Sequence, residues 1–133
     1  MKLSRASNYA VQALAYMAKQ PPGKPAASHL VAEARGIPER FLLKVLKPLV
    51  DARVLLSLKG PHGGYRLARP PKAITLLEVV EAVDGPIRGE APEVGKNGGA
   101  ALDRRLQGAC EGAAALTRQR LARTTLAELL KAK

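Results

Sequence analysis

The sequence has one cysteine, no tryptophan, three tyrosines and a single phenylalanine among its 133 residues. A lone Cys110 excludes an intramolecular disulfide framework and any metal site built from several thiolates of one chain. So few aromatics supply a stacking platform for single-stranded nucleic acid poorly, which argues for duplex. No run approaches the ~20 apolar residues of a membrane span. The amino terminus opens into an amphipathic segment rather than a secretory signal, so a soluble, cytoplasmic protein without a membrane partner is expected. Catalytic signatures are missing too. There is no phosphate-cradling loop and no HExxH, and only two histidines. "GPHGGY" lacks the Gly-Lys-Ser/Thr ending and following helix of a phosphate loop. No catalytic residue is assigned, and an enzyme is not expected.

Acidic side chains are scarce: 11 Asp and Glu stand against 22 Lys and Arg, a formal charge of +11. Such an excess favours a polyanionic partner. Residues 1–72 carry 13 basic and 3 acidic side chains, residues 73–97 carry 2 and 5, and residues 98–133 carry 7 and 3. The positive field therefore belongs mainly to the first half.

Along the chain, apolar residues from Ser4 to Lys19 recur at helical spacing and stop at the breaker "QPPGKP". A shorter helix fits residues 27–35, with Leu30, Val31 and Ala34 inward and Gly36 ending it. A third begins at Pro38. On its wheel Leu42, Val45, Leu46 and Leu49 share one face and Arg40, Lys44, Lys47 and Asp51 the other, with Leu43 at the border. Pro48 inside this run should cost roughly 3 kcal/mol in an undistorted helix, so a kink or a separately held last turn is expected. "VLLSLKG" and "GYRLAR" read as two strands of a hairpin, joined by "GPHGG". Thr75 to Glu78 forms a capping box that starts a fourth helix ending near Gly85. Residues 86–99 read as a flexible connector. A long helix follows from about Ala100 to Arg123, and a second capping box, Thr125 to Glu128, opens a terminal helical segment.

Three short helices, the third basic outside, followed at once by a basic-tipped hairpin describe a winged helix-turn-helix: mainly α with a small two-stranded wing, and then a long C-terminal helix. In that arrangement the third helix enters the major groove and the wing follows the backbone or minor groove. Lys59, His62 and Arg66 would offer donors, and the small residues around Gly63 would let the tip approach the duplex. Leu102, Leu106, Ala109, Ala113 and Leu116 follow the 4,3,4,3 spacing of two helices packed side by side, which points to a dimer interface. The expected organisation is a winged domain over 1–85, a connector over 86–99, and a dimerisation helix with its terminal segment over 100–133. A basic RNA- or ribosome-associated protein is the alternative to a regulator of transcription, and a domain recruiting an acidic protein is a third reading.

The stretches "GIPERFLLKVLKPLV", "KGPHGGYRLAR" and "ITLLEVVEAVDG", with "MKLSRASNYAVQAL" at the start and "TTLAELL" at the end, resemble the bacterial winged-helix regulators typified by IscR, NsrR and CymR, the iron-sulfur-regulator family. The resemblance implies a homodimer that binds a partly palindromic operator in double-stranded DNA, usually as a repressor. It puts Arg40, Phe41, Leu43 and Lys44 on the recognition helix, Lys59 at the minor groove and Tyr9 near the backbone. Leu43 replaces a Glu found in some members, and His62 often a Gly. Many relatives hold an iron-sulfur cluster through three cysteines after the wing; residues 86–109 here contain none. His29, Asn8, Glu90 or a partner chain could add donors, but thiolates dominate such clusters. The expectation is a cluster-free member with no metal and no cofactor. Its signal would then be a small ligand between winged domain and long helix, a partner protein, or oxidation of Cys110, the candidate redox residue, whose plainer role is packing.

Overall fold

The computed structural model describes residues 1–92 and 99–131. Among these are helices α1 (Arg5–Ala18), α2 (Ser28–Arg35), α3 (Glu39–Asp51), α4 (Leu76–Asp84), α5 (Ala100–Ala122) and α6 (Leu126–Leu130), with strands β1 (Leu55–Leu58) and β2 (Gly64–Leu67) between α3 and α4. The fold is the expected mainly helical one with a two-stranded wing and a long C-terminal helix. Residues 93–98 of the predicted connector, and Ala132 and Lys133 of the terminal segment, lie outside the described residues.

Helix α1 starts where Ser4 caps it, the serine oxygen accepting from the Ser7 N–H at 3.0 Å. The Ser4 and Ser7 hydroxyls both donate to the Asp84 carboxylate, at 2.6 and 2.7 Å, and so tie the start of α1 to the end of α4. Ala10, Ala13, Leu14 and Met17 face inward, where the two alanines let neighbouring helices come close.

In α2 the expected inward face holds only at Val31. Leu30 and Ala34 lie exposed, and Ala32 and, beyond the helix, Ile37 are buried beside Val31. Gly36, at φ 66°, reverses the chain so that the Ile37 N–H reaches the Ala32 carbonyl at 2.9 Å. This terminating turn carries Ile37 back into the core and so rotates the short helix onto a different face.

Helix α3 follows its wheel, with Leu42, Val45, Leu46 and Leu49 buried. It continues past Pro48 to Asp51, and its last turn is separately held. The Arg53 N–H donates to Val50 at 3.0 Å and the Val54 N–H to Leu49 at 2.9 Å. These are the paired bonds of a Schellman turn, with Arg53 rather than glycine in the left-handed position at φ 62°.

The strands pair antiparallel, Leu55 opposite Leu67 and Leu58 opposite Gly64. Ala26 adds a one-residue third edge, exchanging two 2.8 Å backbone bonds with Tyr65. A Cβ on Gly64 would stand 2.4 Å from the Ala26 carbonyl oxygen, so glycine is required there. The chain end then returns to the winged core. Leu76 N–H donates to Thr124 at 2.7 Å, Leu126 N–H to Ile74 at 2.8 Å, and Leu126 is buried with Leu14, Leu46 and Ile74. The Thr75–Glu78 capping box forms in full; at Thr125 only the Glu128 N–H bond to its hydroxyl is made, at 3.2 Å.

Candidate nucleic-acid interface

The apolar side of α3 is consumed by the core, which forces its basic side outward: Arg40, Lys44 and Lys47 are all exposed. Phe41 and Leu43 are exposed with them, at 40% and 41%. The Arg40 guanidinium lies 4.9 Å and the Lys44 ammonium 5.6 Å from the Phe41 ring centroid, within cation–π range. Lys47 makes an exposed, loose pair with Asp51 at 3.7 Å, worth little in water and easily exchanged for a phosphate.

Tyr9, half-buried on α1, meets Phe41 and Lys44 across a hollow of about 250 Å³ that Arg5, Ala6 and Val45 complete. Sequence reasoning missed Arg5. The available signal was its position one turn before Tyr9, which puts both on one helix face.

At the wing tip Lys59 and His62 are exposed, and the Gly63 N–H closes a turn onto the Gly60 carbonyl at 3.0 Å. Gly63 is itself a structural necessity, because a Cβ there would fall 2.1 Å from the Leu58 carbonyl oxygen. Arg66 does not stand free with Lys59. It is partly buried and turned toward the α1–α2 connection, its Nη1 donating to the Gly23 carbonyl at 3.4 Å.

The base of the wing is fixed to α4 by Arg69, whose Nη1 donates to the Ala73 carbonyl at 2.7 Å and to Glu78 at 3.1 Å. Its Nη2 donates to the other Glu78 oxygen, making the pair bidentate. Burial pushes the Glu78 carboxyl up, but the Arg69 guanidinium and the Thr75 N–H and hydroxyl pull it further down, so it ends below its ordinary value. The Glu78 hydrogen bond raises Arg69 above its own.

On α5, Leu102, Leu106, Ala109, Ala113 and Leu116 are all exposed, the three leucines at 58%, 49% and 68%. The opposite side of the helix packs on α4 and on residues 86–92. There the Gln107 amide donates to the Gly89 carbonyl at 2.8 Å and accepts from the Ala91 N–H at 2.9 Å. Cys110 is half-buried beside this contact and borders a cleft of about 510 Å³ with Met1, Lys2, Ile87 and Thr117. Glu90 lines the same cleft, yet among the described residues no three His, Cys, Asp or Glu are placed to hold a metal ion. Nor, among those residues, is any helix long and apolar enough to cross a membrane.

A family model for Rrf2, described as iron-dependent transcriptional regulator, matches residues 3–132. The iron in that description does not fit this chain, whose single thiol cannot supply the thiolates of an iron-sulfur cluster. Over 87 residues, 65% of the chain, the sequence is 37% identical to an HTH-type transcriptional regulator of Mycobacterium tuberculosis, covering 54% of that protein. The chain thus spans about half the length of the curated relatives it first matches. Among solved structures it resembles CymR, the global cysteine regulator of Bacillus subtilis, with a TM-score of 0.76 at 25% identity over 98% of this chain and 97% of that one. A transcriptional regulator from Listeria innocua gives the same TM-score at 30% identity, over 98% and 87% of the two chains.

Proposed function

Because the chain belongs to the Rrf2 family of DNA-binding transcriptional regulators, which are not enzymes, we propose that it acts as a homodimeric repressor on a partly palindromic operator. One observation carries this reading: the outer face of α3 exposes Arg40, Phe41, Leu43, Lys44 and Lys47 while its inner face is sealed in the core. The exposed wing tip with Lys59 and His62 supports it, because a second cationic contact follows the recognition helix within a dozen residues. In the proposed complex α3 enters the major groove, Lys59 and His62 reach the neighbouring phosphates or minor groove, and Tyr9 with Arg5 meets the backbone. Arg66 acts one step removed, by tying the wing to the α1–α2 connection. The exposed leucine stripe on α5 is the proposed dimer seam, and the cleft beside Cys110 is the place for a small effector.

A salt titration of duplex binding tests the assignment. Lys44→Ala should cost about 1–3 kcal/mol and relax base preference, whereas Lys47→Ala should weaken all sequences alike and reduce the salt slope by about 1. Wild-type affinity in both variants would remove α3 from the interface. Competition by structured RNA provides the second arm: if RNA displaces duplex DNA at lower concentration, the RNA- or ribosome-associated alternative replaces this reading.

A further inference from the structure

We infer that Phe41 and Leu43 read thymine through its 5-methyl group, which makes them specificity-determining residues of the interface; this rests on the DNA-binding reading above. On the helix wheel the two apolar side chains bracket the strip of Arg40, Lys44 and Lys47, about 160° apart, so they would meet different base pairs. Each is exposed on a face that carries three cations and, at its end, Asp51 paired with Lys47. A polyanion brought there by the lysines must either bury these side chains against something apolar or leave hydrogen-bonding edges dry. The base edges of the major groove offer donors, acceptors and one apolar group, the thymine methyl.

The surroundings of Phe41 strengthen the assignment. Its ring is flanked by the cations of Arg40 and Lys44, and it borders the hollow of about 250 Å³ between α1 and α3. Ala6, Tyr9 and Val45 supply apolar walls there, while Arg5 and Lys44 contribute the charge. An apolar recess with cationic neighbours suits an apolar substituent carried on a phosphate polymer. Leu43 is branched and has no hydrogen-bonding atom, so it cannot accept from a cytosine amino group and has the methyl as its complement.

The test uses the full chain and random duplex DNA. A duplex enriched by selection is remade with deoxyuridine at each thymine in turn, which deletes one methyl and keeps every hydrogen-bonding edge. One or two thymines per half-site should each lose about fourfold in affinity, the value of one buried methyl-sized group. The loss should be the same at low and high salt. It should vanish at one thymine in Phe41→Ala and at another in Leu43→Ala; because both side chains are substantially exposed, the variants should melt near wild type. The proposal is overturned if complete deoxyuridine replacement leaves affinity within about twofold. It is equally overturned if the losses persist unchanged in both variants, since the methyls would then act through DNA shape. Failure to enrich any duplex, with RNA preferred, would instead sink the underlying reading and is distinguishable from both.

Discussion

At the wing tip the Leu58 carbonyl leaves no room for a side chain on Gly63. Gly63→Ala must therefore open the turn that its N–H closes on Gly60, at a cost of about 1–3 kcal/mol. Because Lys59 immediately precedes that turn and His62 lies in it, DNA affinity should fall along with the melting temperature, a pairing that calorimetry and a binding titration together would detect. Glu78 makes a different prediction. Its folded pKa lies below the ordinary carboxylate value, so the unfolded chain takes up a proton more readily. Its stabilisation is complete above the unfolded pKa of about 4.3 and is lost as pH falls through the lower folded value. Glu78→Gln should lower stability at pH 7 by about 1 kcal/mol, the discounted worth of a bidentate pair that is one-third exposed. The same change should flatten the acid limb, so that urea midpoints of mutant and wild type draw together as the pH falls below the unfolded value and through the folded one.

Helices reveal which elements could be read in advance. Helix α3 was legible because thirteen residues sample its wheel more than three times, and a single phase fits Leu42, Val45, Leu46 and Leu49. Helix α2 has only eight residues, and several phases fit so short a segment; the Gly36 turn and the burial of Ile37 selected one that puts Leu30 outside. The Ala26–Tyr65 bridge was illegible, since a single paired residue after Pro25 leaves no alternation to detect. Helix α5 poses the opposite case, with an apolar spacing plain in sequence and no intrachain partner for that face in the described residues. If the stripe is the dimer seam, Leu106→Glu with Leu116→Glu should yield a folded monomer, because neither leucine belongs to the core. Sedimentation would show halved mass, and operator affinity should drop about 100-fold as the two recognition units lose their link. An unchanged mass would mean that the stripe serves another purpose.

For the molecule as a whole, a net charge of +11 sets a long-range attraction to polyanions but not the spacing of contacts along one. A two-fold dimer does set it, placing the recognition helices about 34 Å apart, one turn of DNA. Inserting five base pairs at the centre of an operator should therefore turn the half-sites to opposite sides and weaken binding about 100-fold. Inserting a full turn of about ten should weaken it as well, since the half-sites then face one side again but lie about 68 Å apart, beyond helices held about 34 Å apart. Footprinting across such an operator series gives the answer directly; equal affinity throughout would exclude simultaneous engagement of two half-sites.

Sequence by itself determined the winged-helix class, the basic outer face of α3, the glycine-rich wing and the exclusion of a thiolate-rich cluster. These follow from local periodicity, turn chemistry and counts of donor atoms, which need no long-range contact to be read. Only the tertiary structure decided that Arg66 turns to Gly23, that the chain end closes the core through Leu126, that Gln107 holds residues 89–91 against α5, and that Arg5 joins Tyr9 beside Phe41. Each of these joins residues on separate elements. Their geometry is set by how the elements pack, and no repeat within a single segment encodes it.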